Sequence, residues 1–344
     1  MGEHRPGPMT QINPAGSRIR AVKTMKHIYI VTVALFLLAS CGGAPPRSNV
    51  IDVASVPLVT FVFDDGNDTD YLVGKKIFDK EGAVACSAIT TDRINTRYHL
   101  TTAQILALHD GGWEIMSHTV SHPNLRSLAP DRVEDELSRS KSALEGLGLT
   151  VNNIVYPFNK SNETVAGIVG KYYRSGRGGT NSFNVSPIDP YYLKSFTIKH
   201  NVPLMESYID RAYGDRSWLI LYQHEIDAKA KITGKQGSFT KGETLSLSPS
   251  GTIARYVTTH WFPVYGFAIY LVPFSGVPQP GDTITGVTSG ATARIDHMIY
   301  NELIQLEELV RYIHLKYPDM RIVTIDQGLD LLGVPKKRDV SEKK

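Results

Sequence analysis

The sequence has few cysteines, no surplus charge in its body and no apolar run long enough to cross a bilayer. Two cysteines among 344 residues are too few for a disulfide framework. The formal charge of +3 arises at the N-terminus. Residues 1–24 carry Arg5, Arg18, Arg20 and Lys23 against Glu3, and the remainder sums to zero. No basic run interleaved with aromatics follows, so nucleic-acid binding is not expected. The apolar run Ile28–Leu38 is short of the roughly 20 residues a spanning helix needs. What is present is ordinary globular composition, 42% hydrophobic and 21% charged, enough for one large domain or two modest ones.

The two cysteines have different meanings. Cys86 lies in the apolar stretch Gly82–Ile89 and is expected in a core strand. Cys41 follows Lys23, Lys26, the apolar run and Leu38-Ala39-Ser40. A basic flank, a short apolar stretch and small residues make an export signal. Leu38-Ala39-Ser40-Cys41 resembles the bacterial lipobox, which implies lipidation of Cys41 as the mature N-terminus. Met25 stands where such a signal starts, so residues 1–24 are expected to be a leader or mis-start and 25–41 the signal peptide. Gly42 after the cysteine, rather than Asp, favours the outer membrane or cell surface. Residues 42–55 are expected to be a tether.

Beyond them, strands and helices alternate. Val56–Phe63 is short, apolar and rich in β-branched and aromatic residues, as a strand buried on both faces should be. A helix is expected over Tyr71–Glu81, a strand over Ala83–Ile89, and a helix over Thr102–Asp110 capped by Thr101. A strand over Trp113–Met116 precedes a charged amphipathic helix, Arg132–Leu147. Strands at Asn153–Tyr156 and Trp218–Tyr222 follow. The chain closes with helix Glu302–His314, strand Arg321–Ile325, a short helix over Asp326–Leu332 and a polar tail, 335–344. This order predicts an α/β fold with a largely parallel sheet, open or closed as a barrel. Chemistry in such folds gathers at the C-terminal strand ends.

Residues 233–295 break the pattern. They are rich in Gly, Ser and Thr and hold a repeat at an offset of 39: Gly242-Glu-Thr-Leu-Ser-Leu-Ser-Pro-Ser-Gly-Thr-Ile-Ala-Arg255 aligns with Gly281-Asp-Thr-Ile-Thr-Gly-Val-Thr-Ser-Gly-Ala-Thr-Ala-Arg294. A small all-β module is expected here, inserted in an α/β domain formed by 56–232 and 296–334. The repeat words resemble those of phage structural and tail proteins.

Four strand ends carry polar residues suited to chemistry. Asp64-Asp65 ends the first strand, and adjacent side chains diverge, giving one metal ligand and one free carboxylate. His118 and His122, at i and i+4, would share one face of a helical turn and grip one ion. Tyr156-Pro157-Phe158 places a proline just past a strand, and Leu219–Gln223 runs into His224. In this order the segments Thr60–Gly66, Ser117–His122, Tyr156–Phe158 and Leu221–His224 resemble the polysaccharide deacetylases, the NodB-homology group of carbohydrate esterase family 4.

The resemblance implies a deformed (β/α) barrel and one divalent metal, most often zinc, held by Asp65, His118 and His122. It makes Asp64 the general base and His224 the general acid. The Phe158 N–H, in a segment with Tyr156 and Pro157, would hold the oxyanion. The implied reaction removes N-acetyl groups from an envelope or extracellular polysaccharide and releases acetate. O-Acetyl ester cleavage at the same site and a non-catalytic glycan-binding lipoprotein are the alternatives. The arginine that many members carry before the third-motif proline is missing. Arg174 or Arg177 is the candidate to orient Asp64, and Asp210 and Asp215 are candidates to tune the acid.

Overall fold

The computed structural model describes residues 56–336, apart from 186 and 265. Cys41, the signal and the tether lie outside them. Among the described residues no helix is long and apolar enough to cross a membrane.

The first strand, β1 (Leu58–Phe63), is buried along its whole length. Its side chains alternate between two cores. Val59, Phe61 and Phe63 pack outward under the helices, while Leu58 and Val62 face the interior. A strand buried on both sides must be apolar throughout, which is the reason for the unbroken run. The chain continues through α1 (Lys75–Lys80), β2 (Cys86–Ile89), α2 (Thr102–Asp110), β3 (Glu114–Ser117), α3 (Pro130–Glu145), β4 (Asn153–Val155), α4 (Glu163–Tyr172), β5 (Ser175–Arg177), β6 (Phe196–Thr197), α5 (Val202–Gly214) and β7 (Trp218–Gln223). The helix expected from Tyr71 enters as a π-helical turn, Asp70–Gly74, before α1. Thr101 caps α2 in a reciprocal capping box with Gln104, as its position before the apolar spacing requires.

The sheet order is β5-β4-β3-β2-β1-β7-β6, and every pairing is parallel. It does not close by strand pairing. Irregular chain between β5 and β6 spans the gap, with Leu193 bridging Arg177 and Asn184 bridging Trp218. The interior core contains Trp218, whose indole N–H donates to Thr60 Oγ1 at 2.9 Å. Of the last elements, α6 (Glu302–Lys316) joins the outer layer between α1 and α5, β14 (Arg321–Ile322) pairs with the start of β1, and α7 (Ile325–Leu331) plugs the lower mouth of the interior. A Cβ on Gly328 of α7 would lie 2.6 Å from the Trp218 ring, so only glycine permits this approach.

Between β7 and α6 the chain forms a second, all-β body. Its strands are β8 (Ala228–Gln236), β9 (Thr244–Ser248), β10 (Ile253–Phe262), β11 (Gly266–Ser275), β12 (Thr283–Gly286) and β13 (Thr292–Asn301). They close into an antiparallel barrel, β10-β11-β8-β13-β12-β9, around a core that includes Ile232, Leu245, Leu271, Ile284 and Ile295. The repeat becomes an exchange. Glu243 of the first copy accepts from the Ser289 N–H and hydroxyl of the second, and Asp282 of the second accepts from the Ser250 N–H of the first. The barrel strands begin at Ala228 and end at Asn301, outside the repeat on both sides, because β8 and β13 pair along their length.

Candidate active site

Asp65, His118 and His122 converge above the C-terminal ends of β1 and β3. One ligand atom from each lies within 4.8 Å of the others. His118 Nε2 and His122 Nε2 are 3.8 and 3.4 Å from Asp65 Oδ1. That oxygen is buried and accepts no hydrogen bond, although Arg93 Nη1 sits 3.1 Å away. An orphaned carboxylate oxygen facing two imidazoles fits a divalent cation, and two His with one Asp suit zinc while leaving coordination positions open.

The histidines are prepared for that role. The His118 ring is buried, and its Nδ1–H donates to the Val155 carbonyl at 2.8 Å. This fixes the tautomer and leaves the Nε2 lone pair facing Asp65. Burial pushes the His118 imidazolium down to about 3, so the ring is neutral at ordinary pH. His122 is also shifted down by partial burial, opposed by Asp65.

The pair does not sit on a helical turn. Thr119 and His122 have positive φ, 70° and 61°, and residues 118–122 form a loop. Thr91 and Asp92 N–H groups donate to the Thr119 and Val120 carbonyls, so the backbone bonds sideways and cannot wind into a helix. The missing helical bonds are replaced by Glu136 of α3, a residue the motif reading did not single out. Its Oε2 accepts from the Val120 and Ser121 N–H groups at 2.9 Å each, and its Oε1 from the Ser121 hydroxyl at 2.7 Å. The i, i+4 spacing therefore brings the rings together through a bent loop, with centroids 4.7 Å apart.

Asp64, next to Asp65 in the chain, is only 3% exposed. Arg177, fully buried at the end of β5, donates to its Oδ1. The same guanidinium donates to Asn159 Oδ1 at 2.7 Å and lies over the Tyr222 ring at 4.7 Å. Of the two arginine candidates, Arg177 meets Asp64. Arg174 does not: three residues earlier, just before β5, it pairs with Asp326 and Asp330 of the α7 plug at 2.7 Å. Strand direction decides this, since positions before and at the end of β5 lie toward opposite ends of the sheet. Asp210 binds Tyr312, Lys316 and Tyr317, and Asp215 pairs with Arg211 on α5; neither reaches the triad's partners.

Beyond β4, Tyr156 is buried with its hydroxyl donating to the Tyr191 carbonyl at 3.0 Å, and Pro157 is buried. Phe158 and Asn159 both take positive φ, 57° and 56°, which turns the chain sharply back. This sets the exposed Phe158 ring edge-on to His122 at 4.7 Å. His224 directly follows β7. The Asp64 N–H donates to the Gln223 carbonyl at 2.8 Å, so Asp64 and His224 leave adjacent strand ends. The imidazole is exposed and borders a cleft of about 450 Å³. Gln223, buried beside it, has neither amide atom hydrogen-bonded.

Residues 53–173 match the family model described as polysaccharide deacetylase. YxkH of Bacillus subtilis strain 168, a protein named for that family, is 29% identical over 106 residues, 30% of this chain and 38% of its own length. The chain thus spans less than half of that curated relative. Among solved structures, the Streptococcus pyogenes deacetylase PplD in complex with acetate is 26% identical over 42% of this chain and 65% of its own, with a TM-score of 0.41. The Xyl-CE4 domain of a multidomain xylanase from the hindgut metagenome of Trinervitermes trinervoides is 13% identical over 83% of this chain and 96% of its own, with a TM-score of 0.45.

Proposed function

We propose that this chain, whose residues 53–173 form a polysaccharide deacetylase family region, is a metal-dependent hydrolase that removes N-acetyl groups from an extracellular or envelope glycan. The observation that carries the reading is the convergence of Asp65, His118 and His122 within 4.8 Å, with Asp64 held beside them by Arg177.

A zinc ion on the triad would polarise the acetyl carbonyl and lower the pKa of a water toward about 7. Everything else falls to side chains and backbone. Asp64 accepts the proton of the attacking water, and Arg177 fixes the carboxylate for that transfer. The Phe158 N–H, beside His122 in its left-handed turn, donates to the oxygen that gains charge; such donors contribute about 10²–10³ in rate. His224, exposed at the rim, protonates the leaving amine, a task suited to imidazole. The C–N bond breaks, the acyl carbon keeps the water oxygen, and acetate and a free amino sugar leave. The signal and Cys41 support export and a lipid tether to the outer membrane or cell surface.

The test is acetate release from acetylated glycans by the purified mature protein, with chelator, and with zinc restored. Asp64→Asn should retain zinc and lose about 10²–10⁴ in kcat. Failure of zinc to restore any release after chelation refutes the proposal.

A further inference from the structure

The all-β barrel is clamped to the loops that carry the candidate catalytic groups. Arg255 of β10 donates to both Asp68 carboxylate oxygens at 2.5 and 2.9 Å and to Glu225 Oε1 at 3.0 Å, and it lies over the Tyr98 ring at 4.5 Å. Asp68 is in the loop after Asp65, and Glu225 follows His224. Gly242 of the barrel approaches Tyr98 and Arg97 so closely that a Cβ would overlap both side chains.

This docking turns one outer face of the barrel toward the cleft beside His224. Tyr300 of β13 lines that cleft with Gln223, His200, Asp227 and Glu302. The His200 ring stacks on Tyr300 at 3.7 Å and 27°. In register, Tyr300 stands opposite Lys229 and Lys229 opposite Tyr270. The Lys229 ammonium lies 4.2 Å from the ring centroid of Phe262 on β10 and 4.8 Å from that of Tyr270. Two strand spacings put Tyr270 about 10 Å from Tyr300, room for alternate sugar rings of one extended chain.

A pyranose has apolar C–H faces and a rim of hydroxyls. Aromatic rings serve the faces, and fixed polar groups in a pocket serve the rim. Gln223 supplies the strongest pointer: a side chain 5% exposed, lining the cleft, with its amide N and O both without a protein partner. We propose that the barrel's outer face is a binding wall for a glycan chain of several units. Tyr300 and Tyr270 stack on alternate rings, and Gln223 hydrogen-bonds the unit beside His224. The placement of the reacting unit rests on the deacetylase reading; the wall itself does not.

The experiment measures acetate release and binding with N-acetylglucosamine oligomers from the monosaccharide to the hexasaccharide, using the zinc-loaded full chain. In wild type, affinity should rise with chain length. Tyr300→Ala and Tyr270→Ala should raise KM for the hexasaccharide about tenfold each, the scale of one lost ring contact, with kcat and zinc content retained and the monosaccharide unaffected by Tyr270→Ala. Tyr300→Phe keeps the ring and should restore the wild-type KM. Unchanged length dependence in both alanine variants, or no gain in affinity beyond the monosaccharide in wild type, overturns the wall while leaving deacetylation standing. Length-dependent binding that the alanine variants abolish, without acetate release, supports the wall and overturns the deacetylase reading.

Discussion

Replacing Glu136 by alanine should weaken metal binding although Glu136 is not among the candidate ligands. The carboxylate takes three hydrogen bonds from Val120 and Ser121, the segment between the two histidines. Truncation leaves two backbone N–H groups and one hydroxyl without their acceptor. A buried donor left unpaired costs about 1–3 kcal/mol. Ser121 is exposed and can turn to water, so the expected loss of stability is roughly 2–4 kcal/mol, less than the 5–15 kcal/mol of a typical domain. The protein should therefore fold, with His118 and His122 no longer held in register. Loss of such an outer support typically lowers metal affinity about 10–100-fold. Glu136→Gln is the control, because an amide oxygen still accepts two N–H groups while its NH₂ faces the Ser121 hydroxyl. Chelator competition for zinc, alongside thermal unfolding of the zinc-free protein, reads both quantities. An alanine variant that is destabilised yet binds zinc as tightly as wild type would refute the claim that this carboxylate positions the ligands.

Arg177→Met should abolish measurable catalysis before it abolishes folding: it leaves Asp64 buried without its counter-charge, at about 3–5 kcal/mol, and kcat should fall by at least about 10² in assays of folded, zinc-loaded enzyme, whereas Arg174→Met should lower the melting temperature and spare kcat. Burial pushes Glu302 up to about 8 and Asp227 up to about 6, while burial lowers His200, so the 2.8 Å Glu302–His200 contact is a hydrogen bond between neutral groups at pH 7. From the ordinary carboxylate range up to about 8 the folded protein keeps a proton that the unfolded chain has lost, so stability falls as pH rises through that window; urea unfolding of Glu302→Gln should show a flatter pH dependence. Gly176→Ala should destabilise by about 1–3 kcal/mol or more, since the added methyl would run into the buried Tyr156 ring, and the melting temperature checks it.

The elements that were legible in the sequence are those with a local cause. The Thr101–Gln104 capping box starts α2 where the apolar spacing begins, and β1 shows its double burial as an unbroken apolar run. The short strands are blurred: the stretch from Ala83 yields only Cys86–Ile89, because pairing with β1 and β3 sets its length, not propensity. The triad was readable as a spacing, but the conformation was not. A helical turn and a bent loop both bring i and i+4 together, and the choice between them lies in Glu136, eighteen residues past His118. A signal for Glu136 did exist. It occupies the same stripe of α3 as Val133, Leu137, Ser140 and Leu144, and a carboxylate in a buried stripe must have a partner. Gln223 and Arg93 left no such mark, since β7 is buried throughout and Arg93 ends a single 3-10 turn, Thr91–Arg93, too short to show a periodic pattern.

The repeat shows how a sequence symmetry acquires a function by being broken. Glu243 and Asp282 hold equivalent positions and do equivalent work, each binding the other copy's turn. Arg255 and Arg294 also hold equivalent positions, yet of the two only Arg255 meets the α/β domain; Arg294 is exposed and contacts the Gly281 carbonyl. The turn-to-turn bonds of Glu243 and Asp282 use neither arginine, so they do not require the difference. Docking does, because a single barrel can place only one of its two equivalent corners on Asp68 and Glu225. If docking is what Arg255 is for, Arg255→Ala should leave the barrel folded and loosen its grip: the melting temperature should drop, and KM for long oligomers should rise together with that of Tyr300→Ala, without adding to it in the double variant. Additive effects would mean that the clamp and the wall act on the substrate separately.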